Sequence, residues 1–400
     1  MSEQSVNTVV FQSAGTVTGV KLPFDLDAMV QAWSSLRTAM IREIPDGFTR
    51  DEWAYLISFM SSESLNGVYE STFGKRLVGE QAITETLTIR DNVALWLPNN
   101  VSLLGPLVMI LVSITGSALH VKIGSRSENL CEVLSQWALT NTAEGPLKSW
   151  LENKLVLMRI GRGDPRLKRL SQWANIKMAF GSDSGCRAIA DLPSRPDAIN
   201  FSFSDKQSRI WCLKEELTDD VIQMIIKVFS IYGRAGCTSP QCLTILDGTE
   251  ADCLELAERL TEYWPKTIRK DVEMHIASDN VLSLQLARAK QWNAWLVARN
   301  KAVISVGPAD AELPSGHLHL PISGASLDEA TAALPDNIQT IGFVMSEARQ
   351  KEVAEHLEGT QVKRFVPVEQ MHHFGPVWDG MEFWKALFCE ESSHDQKTRV

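Results

Sequence analysis

Hydrophobic and polar positions between residues 93 and 190 alternate between two patterns. Short apolar runs, typical of buried strands, occupy residues 94–97, 119–123, 155–158 and 176–180. Helical patterns follow these runs, at 165–174 and 185–190 among others. The clearest has apolar residues at i, i+3, i+4, i+7 spacing: Leu130, Val133, Leu134 and Trp137. The alternation predicts an α/β fold with parallel strands and crossover helices, a doubly wound sheet that binds ligands at the carboxyl ends of its strands.

A second α/β unit is predicted downstream. The pattern favours a helix from Asp219 to about Phe229, capped by Thr218 or Asp219, followed by a strand over 243–246 and a helix over 251–264. We therefore expect a cofactor-binding domain at 1–205, to which 366–390 returns, and a catalytic domain at 206–365. The polar residues 391–400 predict a disordered tail.

An uncharged segment at residues 101–119 is long enough to be a candidate membrane span. It contains Gly105, Pro106 and Gly116, has no cluster of Lys and Arg at either end, and leads directly into the strand at 119–123. A helix buried between the sheet and another layer explains these features better. We expect no membrane span.

The amino-acid composition argues against several classes of function. The 400 residues are 44% hydrophobic and 22% charged, as in globular proteins, and the net charge of −10 argues against a nucleic-acid partner. A basic run over 159–169 is more typical of a solvated helix face. Seven scattered cysteines and the lack of a signal peptide favour reduced thiols in the cytoplasm. The pairs His317/His319 and His372/His373 lack further ligands at metal-site spacing, so we expect no metal.

Cys237 is the strongest candidate for chemistry. It follows Gly236 in a predicted turn, where backbone amides can favour a thiolate, and a thiolate is the nucleophile of acyl-transfer reactions. Asn100, far upstream, follows a predicted strand and could supply a donor to the same site. The alternatives are structural: a cysteine in a turn without chemistry, and an asparagine that caps the buried helix.

Five motifs carry a family resemblance. Residues 98–105 read PNNVSLLG, 121–126 VKIGSR, 179–183 AFGSD, 235–241 AGCTSPQ and 376–380 PVWDG. In this order the chain resembles the aldehyde dehydrogenase superfamily, and within it the acyl-CoA or acyl-thioester reductase (LuxC-type) branch, over about residues 90–390. The branch has proline where this chain has Ser102, and a second glycine where it has Ser182. The resemblance implies an aldehyde-dehydrogenase-like fold, with a doubly wound cofactor-binding domain and a second α/β catalytic domain.

The resemblance also implies roles for individual residues. Cys237 becomes the nucleophile, and the side-chain amide of Asn100 an oxyanion donor beside the backbone N–H of Cys237. Lys122 contacts the adenine ribose of the cofactor. Ser125 stands where a glutamate would favour NAD, and with Arg126 beside it the site suits the 2′-phosphate of NADPH.

A glycine-containing loop follows the strand at 176–180. The resemblance places Gly181 and Ser182 at the cofactor pyrophosphate, where backbone N–H groups at a helix start can bind phosphate. Without the resemblance, the loop is an ordinary strand-to-helix turn.

The segment 199–206 contains no glutamate where hydrolytic aldehyde dehydrogenases have their water-activating base. The resemblance therefore implies reduction of an acyl thioester, from acyl-CoA or an acyl-carrier protein, to an aldehyde with NADPH. Two alternatives remain open: an acyl-phosphate reductase of the same fold, and a non-catalytic acyl-binding subunit. A homo-oligomer and an acyl-transferring or acyl-activating partner protein are further expectations.

Overall fold

The structure is a computed structural model and describes residues 7–79, 81–98, 101–124, 130–269 and 271–391. Contacts between residues divide the chain into two compact units, Met1–Ser204 with Phe374–Val400, and Asp205–His373. We name these the first unit and the second unit.

Strands and helices alternate through most of the first unit. It begins with β1 (Asn7–Ser13), β2 (Thr16–Leu22), α1 (Leu26–Met40), α2 (Arg50–Phe59), α3 (Ser62–Phe73), β3 (Lys75–Leu77) and β4 (Glu85–Ile89). It continues with β5 (Asn92–Trp96), α4 (Leu104–Ser113), β6 (Ala118–Ile123), α5 (Leu130–Asn141), α6 (Pro146–Asn153), β7 (Leu155–Arg159), α7 (Arg166–Trp173), β8 (Ile176–Gly181), α8 (Asp183–Ala190) and β9 (Ile199–Ser204).

The second unit contains β10 (Gln207–Cys212), α9 (Asp219–Tyr232), β11 (Pro240–Leu246), α10 (Glu250–Thr267), α11 (Met274–Ala289), β12 (Asn293–Val297), β13 (Ala302–Val306), β14 (His319–Ala325), α12 (Leu327–Ala332), β15 (Ile338–Val344), α13 (Glu347–His356) and β16 (Arg364–Pro367). The returning segment of the first unit adds β17 (Phe388–Glu390).

The parallel sheet of the first unit has the strand order β7-β6-β5-β8-β9. All of its pairings are parallel. The order reverses between β5 and β8, because the chain moves outward to β7 and then returns to the other side of β5. This confirms the predicted doubly wound sheet, and its ligand crevice belongs at the carboxyl ends of β5 and β8.

The uncharged segment forms the buried helix α4, all ten residues of which are buried. Continuous burial explains why no position in the helix carries a charge, since each side faces other protein groups. In the described part of the chain, no helix combines the length and apolarity that crossing a bilayer demands.

A second sheet of the first unit was not predicted from the sequence. It has the order β17-β4-β2-β1-β3, in which β1 and β2 form an antiparallel hairpin. An aromatic cluster packs within the same unit, where Tyr69 meets Trp384 edge to face with ring centroids 4.7 Å apart. The segment from Pro376 to Gly380 contributes a tight turn, in which Asp379 and Gly380 both have positive φ (51° and 72°), as in type I′ turns.

The second unit is built on one seven-stranded sheet of order β12-β13-β14-β11-β10-β15-β16, parallel except for the edge strand β12. The predicted helix at 219 is α9, and the Thr218 side chain accepts from the Val221 N–H. The sequence suggested that the chain leaves this unit at 366. In the structure it stays until His373, because β16 pairs with β15 along Arg364–Pro367.

Candidate active site

Cys237 lies in the turn between α9 and β11. The turn is closed by two hydrogen bonds: the Ser239 N–H donates to the Gly236 carbonyl oxygen (3.0 Å), and the Gly236 N–H donates to Ser239 Oγ (3.2 Å). Gly233 permits the chain to leave the helix, with φ of 54° and no room for a side chain, since an added Cβ would lie 2.5 Å from the carbonyl oxygen of His317. The predicted glycine-flanked turn is therefore present.

A buried serine of the neighbouring strand fixes the peptide group of Cys237. Ser208 Oγ donates to the carbonyl oxygen of Cys237 at 2.7 Å. Ser208 stands opposite Pro240 at the start of two parallel strands, β10 and β11. The cysteine consequently lies at the amino-terminal edge of the second unit's sheet.

The residue after Cys237 is bound by a histidine. Thr238 Oγ1 and His372 Nδ1 are 2.8 Å apart, and His372 Nε2 is 2.8 Å from the carbonyl oxygen of Val228. A carbonyl oxygen only accepts, so Nε2 carries the proton and, in the neutral ring, Nδ1 accepts from the threonine hydroxyl. Burial lowers the pKa of His372 to about 4, which favours this neutral form.

Cys237 differs from most of the other cysteines in exposure. All seven cysteines are thiols, and five of them, Cys131, Cys186, Cys212, Cys242 and Cys253, are buried. Burial raises the pKa of Cys212 strongly and that of Cys253 to about 11, which suppresses the reactive thiolate. Cys237 and Cys389 are only partly buried. Cys389 lies in β17 of the first unit, so Cys237 is the partly exposed thiol of the second unit.

Lys122 lies near the carboxyl end of β6, between Trp96 of β5 and Met158 of β7 in the register of the sheet. Within the described ranges, its ammonium group has no hydrogen-bond or ion-pair partner. Burial, and secondly the charge of Arg162, lower its pKa. Arg162 is exposed in the loop after β7. Two cations whose charges interact thus lie at the carboxyl edge of the doubly wound sheet.

Gly181 ends β8, and Ser182 is the N-cap of α8, where its Oγ accepts from the Gly185 N–H at 3.2 Å. This is the ordinary strand-to-helix turn that the sequence offered as an alternative. With Asp183 in the first turn of the helix, the loop also carries a negative charge. The cofactor role of Gly181 and Ser182 stays a prediction.

Three predicted site residues, Asn100, Ser125 and Arg126, lie outside the described residues. Conversely, the structure adds Ser208, His372 and Arg162, which the sequence did not single out as site residues. In the sequence, Arg162 is one residue of a basic run, and His372 is half of a histidine pair. Local sequence gives no signal for the Thr238–His372 contact, because 134 positions separate the partners.

A family model described as acyl-CoA reductase (LuxC) matches residues 80–388. The chain belongs to this family. The match confirms the resemblance seen in the five motifs. As an acyl-CoA reductase family member, the chain is an oxidoreductase that acts on acyl or aldehyde substrates. No curated protein sequence matches it.

Solved structures show the same fold at low identity. A putative aldehyde dehydrogenase, PutA, from Anabaena variabilis is 12% identical with a TM-score of 0.63, and the match covers 92% of this chain and 87% of that one. Succinic semialdehyde dehydrogenase from Streptococcus pyogenes, solved with NADP+, is 11% identical with a TM-score of 0.64 (92% and 89% covered). The NAD-dependent benzaldehyde dehydrogenase from Corynebacterium glutamicum is 11% identical with a TM-score of 0.64 (92% and 85% covered). These likenesses confirm the predicted aldehyde-dehydrogenase-like fold class.

Proposed function

We propose that this family member reduces an acyl thioester to an aldehyde with NADPH, through an acyl group carried on Cys237. The observation that carries the proposal is the placement of Cys237: a partly exposed thiol in a turn whose peptide groups are held by Ser208 and Ser239. A nucleophile held in one geometry loses less entropy when it attacks, which is a large part of the advantage of an enzyme-bound reaction.

The covalent step needs only groups that the chain itself supplies. The Cys237 thiolate attacks the carbonyl carbon of the thioester, a new carbon–sulfur bond forms, and the carrier's thiolate leaves and takes up a proton from water. A thiolate is a good leaving group, so the step requires no dedicated acid. Asn100 is proposed to donate to the carbonyl oxygen as it becomes negative, together with the backbone N–H of Cys237.

The residues at the carboxyl edge of the parallel sheet suit a phosphorylated nucleotide. Lys122 and Arg162 bring two positive charges together there, and within the described residues Lys122 has no anion of the protein beside it. An anionic ligand would relieve their repulsion. Ser125 and Arg126 are the further residues proposed to hold the 2′-phosphate of NADPH. When bound, the reduced nicotinamide supplies the hydride that converts the acyl group to an aldehyde.

Whether the acyl group is hydrolysed or reduced depends on a base that activates water beside it. By the family resemblance, the segment 199–206, which includes strand β9, corresponds to the segment that carries the water-activating glutamate in hydrolytic relatives, and it contains no glutamate. Without that base, water attacks the acylated cysteine slowly, and the acyl group is kept for reduction.

The test is the release of thiol from acyl-CoA in the absence of NADPH. The native protein should release up to one thiol per chain in a burst and become acylated, and NADPH should then yield aldehyde. Cys237→Ala should show neither the burst nor the acylation. Cys389→Ala, which removes the other partly exposed thiol, should behave as the native protein.

The same assay separates the rivals. Release of phosphate from an acyl phosphate, without a burst from acyl-CoA, would support an acyl-phosphate reductase. Binding of acyl-CoA without any burst would indicate a non-catalytic acyl-binding subunit. Repeating the burst with acyl-carrier protein decides which of the two carriers is the substrate.

A further inference from the structure

His372 stands at the junction of three segments of the second unit. Its ring donates to Val228 in α9 and packs edge to face against Tyr232 with ring centroids 5.1 Å apart. It also accepts from Thr238 in the turn that carries the proposed nucleophile, residues 233–239, which we name the nucleophile turn. The helix and the turn are therefore joined through one side chain.

The backbone around His372 is itself anchored. Arg364 of β16 donates to the carbonyl oxygens on both sides of it: to Gln370 and Met371 at 3.1 Å each, and to His373 at 3.3 Å. Met371 is fully buried. A strand of the sheet thus fixes the position from which the imidazole reaches the turn.

The two ends of one peptide group are held from different directions. The carbonyl oxygen of Cys237 accepts from Ser208, and the amide nitrogen of the same peptide group belongs to Thr238, whose side chain is bound by His372. Rotation of this peptide plane would break the bond from Ser208, and displacement of the Thr238 Cα would break the bond to His372. Because the plane is joined to the Cα of Cys237, holding it restricts the backbone that carries the thiol.

The geometry also excludes His372 as a general base that takes the proton of Cys237. A general base must reach the thiol with an accepting nitrogen. The Nε2 proton of His372 is committed to Val228, and Nδ1 is occupied by the Thr238 hydroxyl. His372 has no lone pair left for the Cys237 proton.

We propose that His372 is a positioning residue for Cys237, acting through the hydroxyl of Thr238 to hold the nucleophile turn in the orientation that attacks a bound acyl carbonyl. The proposal rests on the proposed function, in which Cys237 is the nucleophile. It assigns to the imidazole no proton transfer with the substrate.

The experiment compares four variants of the full chain. Thr238→Val removes the hydroxyl and nearly conserves the side-chain shape, whereas Thr238→Ser retains the hydroxyl. His372→Met removes both bonds of the ring. His319→Met is the matched control, since His319 is a buried histidine of the same unit that bonds Ser305 and the Ser315 carbonyl oxygen instead of the turn.

Two rates are measured on Cys237: acylation by acyl-CoA in a single turnover, and alkylation by iodoacetamide, a small reagent that needs no oriented carbonyl. Thr238→Val and His372→Met should slow acylation about 5- to 10-fold, the scale of one net hydrogen bond, and change alkylation less than about twofold. Thr238→Ser and His319→Met should acylate within about twofold of the native rate.

The double variant Thr238→Val/His372→Met distinguishes a shared action from two separate ones. If both residues act through their mutual bond, the double variant is no slower than the slower single variant. Multiplied effects, or single variants that acylate at the native rate, would overturn the proposal. A native chain that is alkylated but never acylated would instead refute the proposed function and, with it, this role for His372. If His372→Met does not fold, the two Thr238 variants still decide.

Discussion

Arg234 and Gln241 bond each other across the nucleophile turn. Arg234 Nε donates to Gln241 Oε1 at 2.8 Å, and Gln241 Nε2 donates back to the Arg234 carbonyl oxygen at 3.0 Å. The two residues precede and follow Cys237, so their reciprocal bonds close the turn at its base. The guanidinium also donates to the carbonyl oxygen of Pro314.

Loss of this pair should cost both stability and acylation. Gln241→Leu leaves Arg234 Nε without its acceptor, and we expect the free energy of unfolding to fall by about 1–3 kcal/mol. Because the base of the turn opens, the rate of Cys237 acylation should fall as well. Gln136→Leu, at an exposed position of α5, should change neither quantity; urea unfolding and the thiol burst measure the two effects. Native stability in Gln241→Leu would contradict the expectation.

Gly233→Ala should be far more damaging than the same change at another left-handed glycine. At Gly233 the new methyl group would lie 2.5 Å from a backbone oxygen, whereas at Gly359 (φ 79°) nothing lies within 4 Å. Gly359→Ala should therefore lower the free energy of unfolding by only about 1 kcal/mol, the cost of a left-handed backbone for alanine. Gly233→Ala adds the overlap and should lose more than about 2 kcal/mol of unfolding free energy in urea. Equal losses would mean that the turn yields easily at Gly233.

Arg162→Ala tests the pair of cations at the carboxyl edge of the parallel sheet. If Arg162 and Lys122 share the 2′-phosphate, the KM for NADPH should rise about 10- to 100-fold while the KM for NADH stays within about twofold. Lys168→Ala, an exposed lysine of α7 from the same basic run, is the matched control and should leave both values unchanged. Equal effects of Arg162→Ala on the two cofactors would exclude a phosphate contact.

His319 should make the stability of the chain depend on pH. Its Nδ1 donates to the Ser315 carbonyl oxygen and its Nε2 accepts from Ser305, in a fully buried position. Burial, as the main cause, lowers its pKa to about 4, against about 6.5 in the unfolded chain. The folded state thus disfavours the proton that the unfolded state accepts.

The direction of the pH dependence follows from the lower pKa of His319 in the folded state. The contribution of His319 is complete above about pH 6.5 and is lost as the pH falls toward 4, at up to about 1.4 kcal/mol per pH unit. Urea unfolding at pH 7.5, 6 and 5 should show this decline. In His319→Gln, the slope of unfolding free energy against pH should be smaller by the contribution of about one proton. A slope that His319→Gln leaves unchanged would show that the residue does not titrate in this range.

The sequence predicted those parts of the fold whose signals are local. The strands β5 to β8 are marked by short apolar runs and the helices α5, α7 and α9 by helical patterns, and the alternation of the two predicts a parallel sheet. The short helix α6 was missed. So were the helices α1 to α3 and the sheet of β1 to β4 and β17, the last strand of which pairs Phe388 with Ile89, about 300 positions away. No local pattern encodes a partner at that distance.

The candidate site was likewise predictable only where its signals are local. The turn around Cys237 was predictable, since Gly236 and Pro240 are turn-forming residues in the nucleophile motif. Its supports were not: Ser208 and His372 reach the turn from another strand and from the end of the second unit. A serine in a strand and a histidine after a short turn have many uses, and only tertiary structure selects one.

The pairing of β4 with β17 has a consequence for synthesis on the ribosome. The first unit begins before the second, yet its mixed sheet lacks an edge strand until Phe388–Glu390 has emerged. The second unit, Asp205–His373, is continuous and is fully translated earlier. The part of the chain that starts first is therefore completed last, and until then the nascent chain carries β4 with an open edge.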